Sequence, residues 1–402
     1  MWLKSVRAKI QSGLNHCVQE IEWWQTVCSG TRLGLESLAA ERAQVEEEYK
    51  KELARLESHR SGRIASLKAL EQQTPSLGFF RVKRCMSVAA IHGAICAVGE
   101  AEESIRCWTA DGIEADPIAS EGRVLATSPD GGFWAAGDRM GQIELWAAPM
   151  QPRLRHTVAQ SPIHSLAFGA GWLFAGLDHS VTVYATPGLQ EVTELGGMEG
   201  KVTGVACDAD RRRLYVLTSH VSQALYSALY VWEMPRAGGR FRLCRRLYGF
   251  GGRATCLAVD PNGQWVAAGE ALGSVHDQEP SKILVWDAST LRLQNVLTFH
   301  EGAVGAMVCS MDGRYLITGD CPPSVRDGDQ SPLFIYDMQA GRLALRVNAH
   351  RGGIRSFAID RTGNCLVSGG ADGVWAWSIK CLTSHILRDS DQKVLDFGPD
   401  VA

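Results

Sequence analysis

From residue 76 onward the chain repeats one pattern seven times. A run ending in small residues is followed by a turn and by a second run that closes on an aromatic residue: Trp108, Trp146, Tyr184, Trp232, Trp286, Tyr336 and Trp377. Three turn glycines, Gly263, Gly313 and Gly363, lie fifty residues apart. Short alternating runs separated by Gly, Asp and Pro are typical of β-strands. Self-similarity at intervals of 38 to 54 residues therefore predicts a repeat architecture made of β-sheets.

This pattern resembles the WD-repeat β-propeller family. The run "LVWD" at 284–287 carries the family's closing dipeptide, and the family's opening histidine survives as His300 and His350. The resemblance covers about 300 residues and implies a seven-bladed β-propeller with four strands in each blade. It also implies a structural hydrogen-bond set in the seventh unit, which satisfies buried polar groups and does not catalyse; its members are His350, Ser368, Asp372 and Trp377.

A closed ring of seven four-stranded blades needs one strand that the seven repeated units do not supply. The segment "LGFFRVKR" at 77–84 precedes the first unit, so we expect it to be the outer strand of the seventh blade, which latches the ring. The segment "QKVLDFG" at 392–398 is the competing candidate for that place.

The first 75 residues have a different composition. They contain ten glutamates and eleven Lys or Arg, no aspartate, and no proline before Pro75, which is typical of helix. One heptad register places apolar residues on a seam that is good up to Tyr49, and glycines in 28–34 favour a break into two helices. Self-association through this coiled-coil-like seam and packing of an amphipathic helix on the propeller remain alternatives.

The predicted organisation is thus an all-β seven-bladed β-propeller with an N-terminal α-helical, coiled-coil-like segment. The boundaries are 1–75 for the helical arm, 76–381 for the propeller and 382–402 for a C-terminal tail. A net charge of −3 gives no general attraction to nucleic acid or anionic membranes. Since neither a signal peptide nor a run of about 18 apolar residues occurs, we expect a cytoplasmic protein.

Three units carry longer connections between their second and third strands. From the small-residue strand to the closing aromatic residue, units four, five and six need 14 to 17 residues, whereas the short units need eight or nine. All three connections are expected on one face of the disc, over adjacent blades, where such insertions mark a binding face. The predicted partner-binding residues are His276, Asp277, Glu279, Asp320, Arg326, Asp327 and Asp329. Solvated loop acids without a ligand are one interpretation of these acids and Glu270. Among the functional interpretations, they favour a basic segment of another protein over a metal ion.

An arginine cluster lies on the fourth unit. It falls in two connections that open on the opposite face, and its predicted members are Arg211, Arg212, Arg213, Arg236, Arg240 and Arg242. A solvated arginine-rich surface is one interpretation. An anionic partner, including RNA, is the other, although nucleic acid is not the partner we expect.

Catalytic spacings are absent from the sequence: it holds no G-x-S-x-G, no H-E-x-x-H, no dinucleotide fingerprint and no C-x-x-C pair. We therefore expect a non-enzymatic scaffold with no catalytic residue, no cofactor and no metal. Its partners would be other proteins in a multi-subunit complex, with self-association through 1–56 and no membrane. The alternatives are an adaptor that binds anionic partners through the arginine cluster, and a propeller with a metal-dependent hydrolytic or small-molecule site at the channel mouth.

Overall fold

The computed structural model describes most of the repeat region. The described residues are 76–91, 94–100, 103–109, 112–147, 151–157, 161–220, 227–236, 239–271, 280–321, 330–384, 386 and 394–396, with backbone alone at 151–157 and 394–396, and isolated positions between 12 and 51. No helix among these residues is long and apolar enough to span a membrane.

The described positions in the N-terminal segment are helical; they are 12, 15, 16, 18–26, 28, 29, 47, 50 and 51. The other residues of 1–75, including residues 30–34 of the predicted break at 28–34 and most of the heptad seam, lie outside the described residues. By its contacts the chain divides into two units, Met1–Gln73 and Thr74–Ala402. The coiled-coil-like seam remains a prediction.

The described strands form seven sheets, one for each predicted unit, and this confirms the seven-bladed propeller. All the pairings are antiparallel except that of the extra edge strand in blade 6. Blades 1 to 3 contain β2 (Cys85–Ile91), β3 (Ala94–Gly99), β4 (Ser104–Thr109) and β5 (Ile118–Ala119); β6 (Val124–Thr127), β7 (Phe133–Gly137), β8 (Gln142–Ala147) and β9 (Gln151–Thr157); β10 (Ser165–Gly169), β11 (Trp172–Gly176), β12 (Val181–Ala185) and β13 (Gln190–Leu195). Blades 4 and 5 contain β14 (Lys201–Asp208), β15 (Arg213–Ser219), β16 (Ala228–Glu233) and β17 (Arg242–Leu247); β18 (Arg253–Val259), β19 (Trp265–Ala271), β20 (Ser281–Asp287) and β21 (Leu293–His300).

The last two blades include strands from both ends of the propeller unit. Blade 6 contains β22 (Ala303–Cys309), β23 (Tyr315–Cys321), β24 (Gln330–Asp337), β25 (Arg342–Arg351) and β29 (Val394–Asp396); blade 7 contains β26 (Ile354–Ile359), β27 (Cys365–Gly370), β28 (Val374–Ser378) and β1 (Ser76–Phe80). One short helix, α1 (Ile379–Ser384), follows β28. The first strand of each blade is innermost, and these strands surround a central channel; β26 also contacts β2, which closes the ring.

The small residues that end each second strand have a packing cause. At Gly137, Gly176, Gly269, Gly319 and Gly369 an added Cβ would lie 2.6 to 2.7 Å from a side chain of the next blade's inner strand. At Gly319, for example, that neighbour is Ile354. Close contact between blades therefore requires glycine here, because interiors are packed without spare volume. The repeated "AG" and "TG" endings in the sequence result from this contact between blades.

The turn glycines spaced fifty residues apart have a backbone cause. Gly263, Gly313 and Gly363 have φ of 64°, 74° and 71°, a left-handed conformation that glycine adopts without strain. In blade 5 the preceding Asp260 fixes the turn by accepting N–H bonds from Asn262 and Gln264 at 3.0 and 2.8 Å. The Asp/Gly pattern therefore marks the turn between the first and second strands of a blade.

The predicted latch strand is confirmed. β1 pairs antiparallel with β28, from Ser76 opposite Trp377 to Phe80 opposite Val374, and is the outer strand of blade 7. The Phe79 ring lies 4.7 Å from the Trp375 ring. The competing segment has another place, because β29 pairs in parallel with β25 at the edge of blade 6.

The predicted start of the tail at 382 needs correction. Residue 382 falls inside α1, and Leu382 is fully buried in an apolar cluster shared with Ile379, Ile386 and Trp377. Burying a leucine stabilises the fold by about 2 kcal/mol. The chain that stabilises the propeller therefore reaches at least Ile386.

Candidate functional site

One face of the disc carries the three long connections. In blades 4, 5 and 6 the second strand ends at Ser219, Ala271 and Cys321, and the third begins at Ala228, Ser281 and Gln330. In the other blades the connection spans only 100–103, 138–141, 177–180 and 371–373. Because every sheet has the same strand order, all these connections emerge on one side, which we call the insert face.

Most of the predicted partner-binding residues lie outside the described residues. These are His276, Asp277 and Glu279 in blade 5, and Arg326, Asp327 and Asp329 in blade 6. The described strand ends on either side of them, Ala271 and Ser281 in blade 5 and Cys321 and Gln330 in blade 6, lie at the insert face. The partner-binding role of the loop residues themselves remains a prediction.

Asp320 and Glu270, in contrast, are internal. Asp320 is 6% exposed, and its Oδ1 lies 2.7 Å from His300 Nδ1. Glu270 is fully buried, and its Oε2 accepts N–H bonds from Gly251 and Gly252 at 2.8 and 3.1 Å. Both carboxylates hold the chain that enters their blade. Asp320 therefore differs from a solvent-exposed loop acid, since its carboxylate is buried and already bonded.

Blade 7 brings together all four residues of the structural set. His350 Nδ1 lies 2.5 Å from Asp372 Oδ1, and His350 Nε2 lies 2.7 Å from Ser368 Oγ. Trp377 Nε1 donates to the same Ser368 hydroxyl at 2.8 Å. Burial raises the pKa of the Asp372 carboxyl, but the His350 bond and the Arg351 N–H outweigh it, so that the pKa lies below its ordinary value. The group is bonded internally, as a structural network requires.

Blade 6 contains a second network that the sequence interpretation missed. His300 Nε2 lies 2.8 Å from Thr318 Oγ1, while His300 Nδ1 contacts Asp320. The separation from His300 to Thr318 equals that from His350 to Ser368, which was the available signal. The tryptophan is absent from this network. In blade 7 Trp377 pairs with Leu366, and the equivalent position in blade 6, which pairs with Leu316, is Tyr336.

The arginine cluster of blade 4 is largely bonded. Arg211 Nη1 donates to the Asn262 carbonyl at 2.9 Å and lies 3.6 Å from buried Asp208, and Arg213 Nη2 donates to the Ser289 carbonyl at 3.4 Å. These bonds join blade 4 to blade 5. Arg242 Nε donates to Glu233 at 3.1 Å, and this bond keeps the pKa of Glu233 below its ordinary value.

The remaining members of the cluster do not form one patch with these. Arg212 is partly buried at a turn with φ of 53°. Arg236 and Arg240 are exposed, and Arg240 borders a groove of about 430 Å³ beside Trp232 and Phe241. Because half of the cluster binds its own fold, it gives little support to an anion-binding adaptor.

The central channel opens on the insert face into a cavity of about 660 Å³. One residue at the start of each inner strand, or immediately before it in blades 2 and 3, lines the entrance; we call these residues the ring: Met86, Arg123, His164, Thr203, Thr255, Gly305 and Arg355. Arg139 and Lys201 also line the cavity, whereas no Asp or Glu is among its described lining residues. The structure thus collects four permanent cations at one channel mouth. Sequence reasoning did not find them, because they are separated by up to 232 positions.

A histidine–aspartate pair lies beside this ring. His164 Nε2 is 2.7 Å from Asp178 Oδ1, and Ser161 Oγ donates to the same carboxylate at 3.1 Å. Burial lowers the pKa of His164, with Asp178 opposing and Lys201 adding to that effect. The His164 bond lowers the pKa of Asp178. Within the described part of the chain no three His, Cys, Asp or Glu side chains are placed to hold a metal ion.

Comparison with known proteins agrees with this fold. A family model described as WD domain, G-beta repeat, matches residues 341–375, a span that includes three of the four residues of the blade 7 network. No curated protein sequence matches the chain.

Solved structures give a broader match. The WD40 repeats of RRP9 align with a TM-score of 0.61 at 17% identity, covering 75% of this chain and 96% of that one. U3-55K aligns at 0.60 and 17%, covering 76% and 98%, and a chain of the mitotic checkpoint complex at 0.60 and 15%, covering 76% and 90%. As 1626 solved chains match, this likeness establishes the propeller and selects no single function.

Proposed function

We propose that the protein is a non-enzymatic scaffold that binds other proteins through its insert face. The observation that carries this proposal is the lengthening of one equivalent connection in three adjacent blades. Four blades form the same sheet with three or four residues there, so the fold does not require the longer segments. Surface loops on a rigid scaffold often carry binding residues, and insertions on one face of a repeat fold often mark its binding face.

The blades beneath the inserts support this role as a rigid mount. β19 and β23, which lead into the inserts of blades 5 and 6, are buried almost throughout. His300, Asp320 and Glu270 fix the chain at the same level. Binding through loops on a rigid base loses less conformational entropy than binding through a mobile support. One of the similar structures is that of a multi-protein complex, and this accords with a place in an assembly.

The charges of the inserts suggest the chemistry of the partner. Blade 5 contributes Asp277 and Glu279, and blade 6 contributes Asp327 and Asp329 beside Arg326. We propose that they dock a basic segment of a protein partner, with His276 at the same edge. Complementary charge sets orientation and association rate more than it sets affinity.

The helical segment has a separate proposed role. We propose that residues 1–56 self-associate or tether the propeller within a complex through their heptad seam. Light scattering of the full chain and of a variant without 1–75 tests this idea. A larger mass for the full chain, beyond the segment's own contribution, is expected; the same oligomeric state in both proteins would refute self-association.

The scaffold role is tested by shortening the inserts. Residues 272–280 and 322–329 are each replaced by the Ala-Asp-Gly turn of blade 7, and partners are recovered by crosslinking mass spectrometry from native lysate. A second variant keeps the length and carries Asp277→Asn, Glu279→Gln, Asp327→Asn and Asp329→Asn. The control is Arg236→Gln with Arg240→Gln on the opposite face.

The expected result is loss of the same partners from both insert variants and their retention by the control. Equal thermal unfolding midpoints establish that the fold is kept. Unchanged recovery by the shortened variant would show that the partners bind elsewhere.

A further inference from the structure

The channel mouth on the insert face has a charge distribution that the scaffold role does not use. Its four permanent cations come from three separate blades: Arg123 and Arg139 from blade 2, Lys201 from blade 4 and Arg355 from blade 7. They surround a cavity of about 660 Å³, which is within the usual range for small-molecule sites. A groove lined by charges of one sign concentrates the opposite charge in solution.

The two partly buried guanidinium groups have no carboxylate partner among the described residues. Arg123 Nη1 donates to the Glu100 carbonyl, and Arg355 Nη1 contacts the Met86 sulfur at 3.2 Å. Arg355 also contacts the Cys321 thiol. These partners are uncharged, and they leave several of the five N–H donors of each group unused. Placing a charge in a partly buried position without a counter-charge is costly. An anion in the channel would supply the counter-charge that the fold omits.

Asp178 is a carboxylate beside the ring, and it does not neutralise these arginines. Its oxygens are bonded to His164 and Ser161. Of the four permanent cations, Lys201 is the one whose charge lowers its pKa. Asp178 therefore balances one edge of the ring, at blades 3 and 4. The side formed by blades 7 and 2 keeps its positive charge.

The channel wall adds neutral hydrogen-bond donors. The hydroxyls of Ser87, Ser165 and Ser356 line the cavity, and each accepts the N–H of an adjacent inner strand, at 2.9 to 3.1 Å. A hydroxyl that accepts a bond still has its own hydrogen to donate. The described residues provide no acceptor for these three hydrogens. A guanidinium group holds its N–H donors in a fixed plane, and together with hydroxyl donors this arrangement suits hydrogen bonding to phosphate oxygens.

From this arrangement we propose that the channel mouth binds a small polyphosphorylated solute. Several phosphate groups on one compact molecule would match cations that face the channel from three sides. A single phosphate would reach only one side. The site is independent of the protein partner proposed for the inserts.

Tripolyphosphate and inorganic phosphate are the probes, titrated calorimetrically into the purified full chain at about 150 mM salt, where nonspecific attraction is screened. We expect tripolyphosphate to bind and inorganic phosphate to bind much more weakly. Arg123→Gln with Arg355→Gln should weaken tripolyphosphate binding by about 10-fold to 100-fold, the usual range for charge-assisted bonds. The control, Arg236→Gln with Arg240→Gln, removes the same charge from the opposite face and should bind as the parent chain does.

Exposed Arg139 gives a second test. Arg139→Gln cannot disturb the packing and should still weaken binding, so a folding defect in the double variant does not decide the result. No binding of tripolyphosphate, equal binding by Arg139→Gln and the parent, or equal loss in the control would overturn the proposal. Tighter binding of hexaglutamate than of tripolyphosphate would also overturn it, since an acidic peptide segment would then be the ligand.

Discussion

The arginines on the two faces of the disc differ in their bonding partners. On the face with the turn 209–212, the arginines of blade 4 lie in two short runs of sequence, 211–213 and 236–242. Arg211, Arg213 and Arg242 bond to carbonyls and a carboxylate of their own fold. At the channel mouth Arg123 and Arg355 are far apart in sequence, come together in space and contact no carboxylate in the described chain. A run of like charge in a sequence is therefore a poor guide to a binding surface, and convergence of isolated charges is a better one.

The first way to break this comparison is to remove one bonded arginine and one channel arginine. Arg211→Ala should lower the free energy of unfolding by about 1–3 kcal/mol, because it removes a bond between blades and leaves the Asp208 carboxylate buried beside it without its cation. Arg139→Ala, an exposed position on the channel side, should change it by less than about 0.5 kcal/mol. Urea unfolding followed by tryptophan fluorescence measures both.

Gly263→Ala is a matched check on the same contact. An added Cβ would lie 1.5 Å from Arg211 Nη1, at a backbone φ of 64°. It should therefore destabilise the protein at least as much as Arg211→Ala does. If Arg139→Ala proved as destabilising as Arg211→Ala, the arginines at the channel mouth would stabilise the fold as much as those of blade 4, and the contrast between the two faces would be wrong.

Much of the propeller could be predicted from the sequence, because its determinants are local. The turn glycines, the small-residue strand ends and the aromatic closing residues each reflect one contact, such as Gly319 against Ile354. The latch strand could be predicted because ring closure leaves one place vacant. The blade 7 network followed from the family resemblance, since all four side chains were present.

What could not be predicted depends on register between distant strands. Asp320 follows a small-residue strand directly, so from the sequence it belongs to the insert; only the fold shows that His300, twenty residues earlier, reaches it. The channel ring takes one residue at or immediately before the start of each inner strand, and irregular pairing near the start of several strands hides the common position. Leu382 lies after the last repeat, where periodicity gives no information about burial.

The second prediction sharpens the comparison by adding charge to the channel side. His164 has a lowered pKa, mainly because it is buried, so it is neutral at pH 7 and gains a proton below its ordinary value of about 6.5. Protonation adds a cation beside Lys201, with Asp178 opposing it. Affinity for tripolyphosphate should therefore rise several-fold as the pH falls from 7 toward 5, relative to His164→Gln, which cannot titrate there.

The ratio of the two affinities is the measured quantity, because the probe loses charge over the same pH range in both proteins. A ratio that stays constant from pH 7 to pH 5 would show that His164 does not act on the channel charge. A ratio that falls with pH would contradict the sign of the argument.

The third prediction concerns the opposite face and has the smallest expected effect. Glu233 is fully exposed, and its bond to Arg242 lowers its pKa, so the ion pair is lost only as the pH falls through that lowered value. Exposed pairs contribute little because water and salt screen them. Glu233→Gln should therefore leave the unfolding midpoint at pH 7 within experimental error.

The same substitution removes the partner of Arg242 and so leaves three exposed arginines, Arg236, Arg240 and Arg242, at the edge of blade 4. If the arrangement of partners decides binding, this edge should still bind tripolyphosphate far more weakly than the channel does, because it lacks enclosing walls and hydroxyl donors. Equal binding at both places would mean that the number of arginines alone sets the affinity for tripolyphosphate. The difference between the two faces would then have no effect on binding.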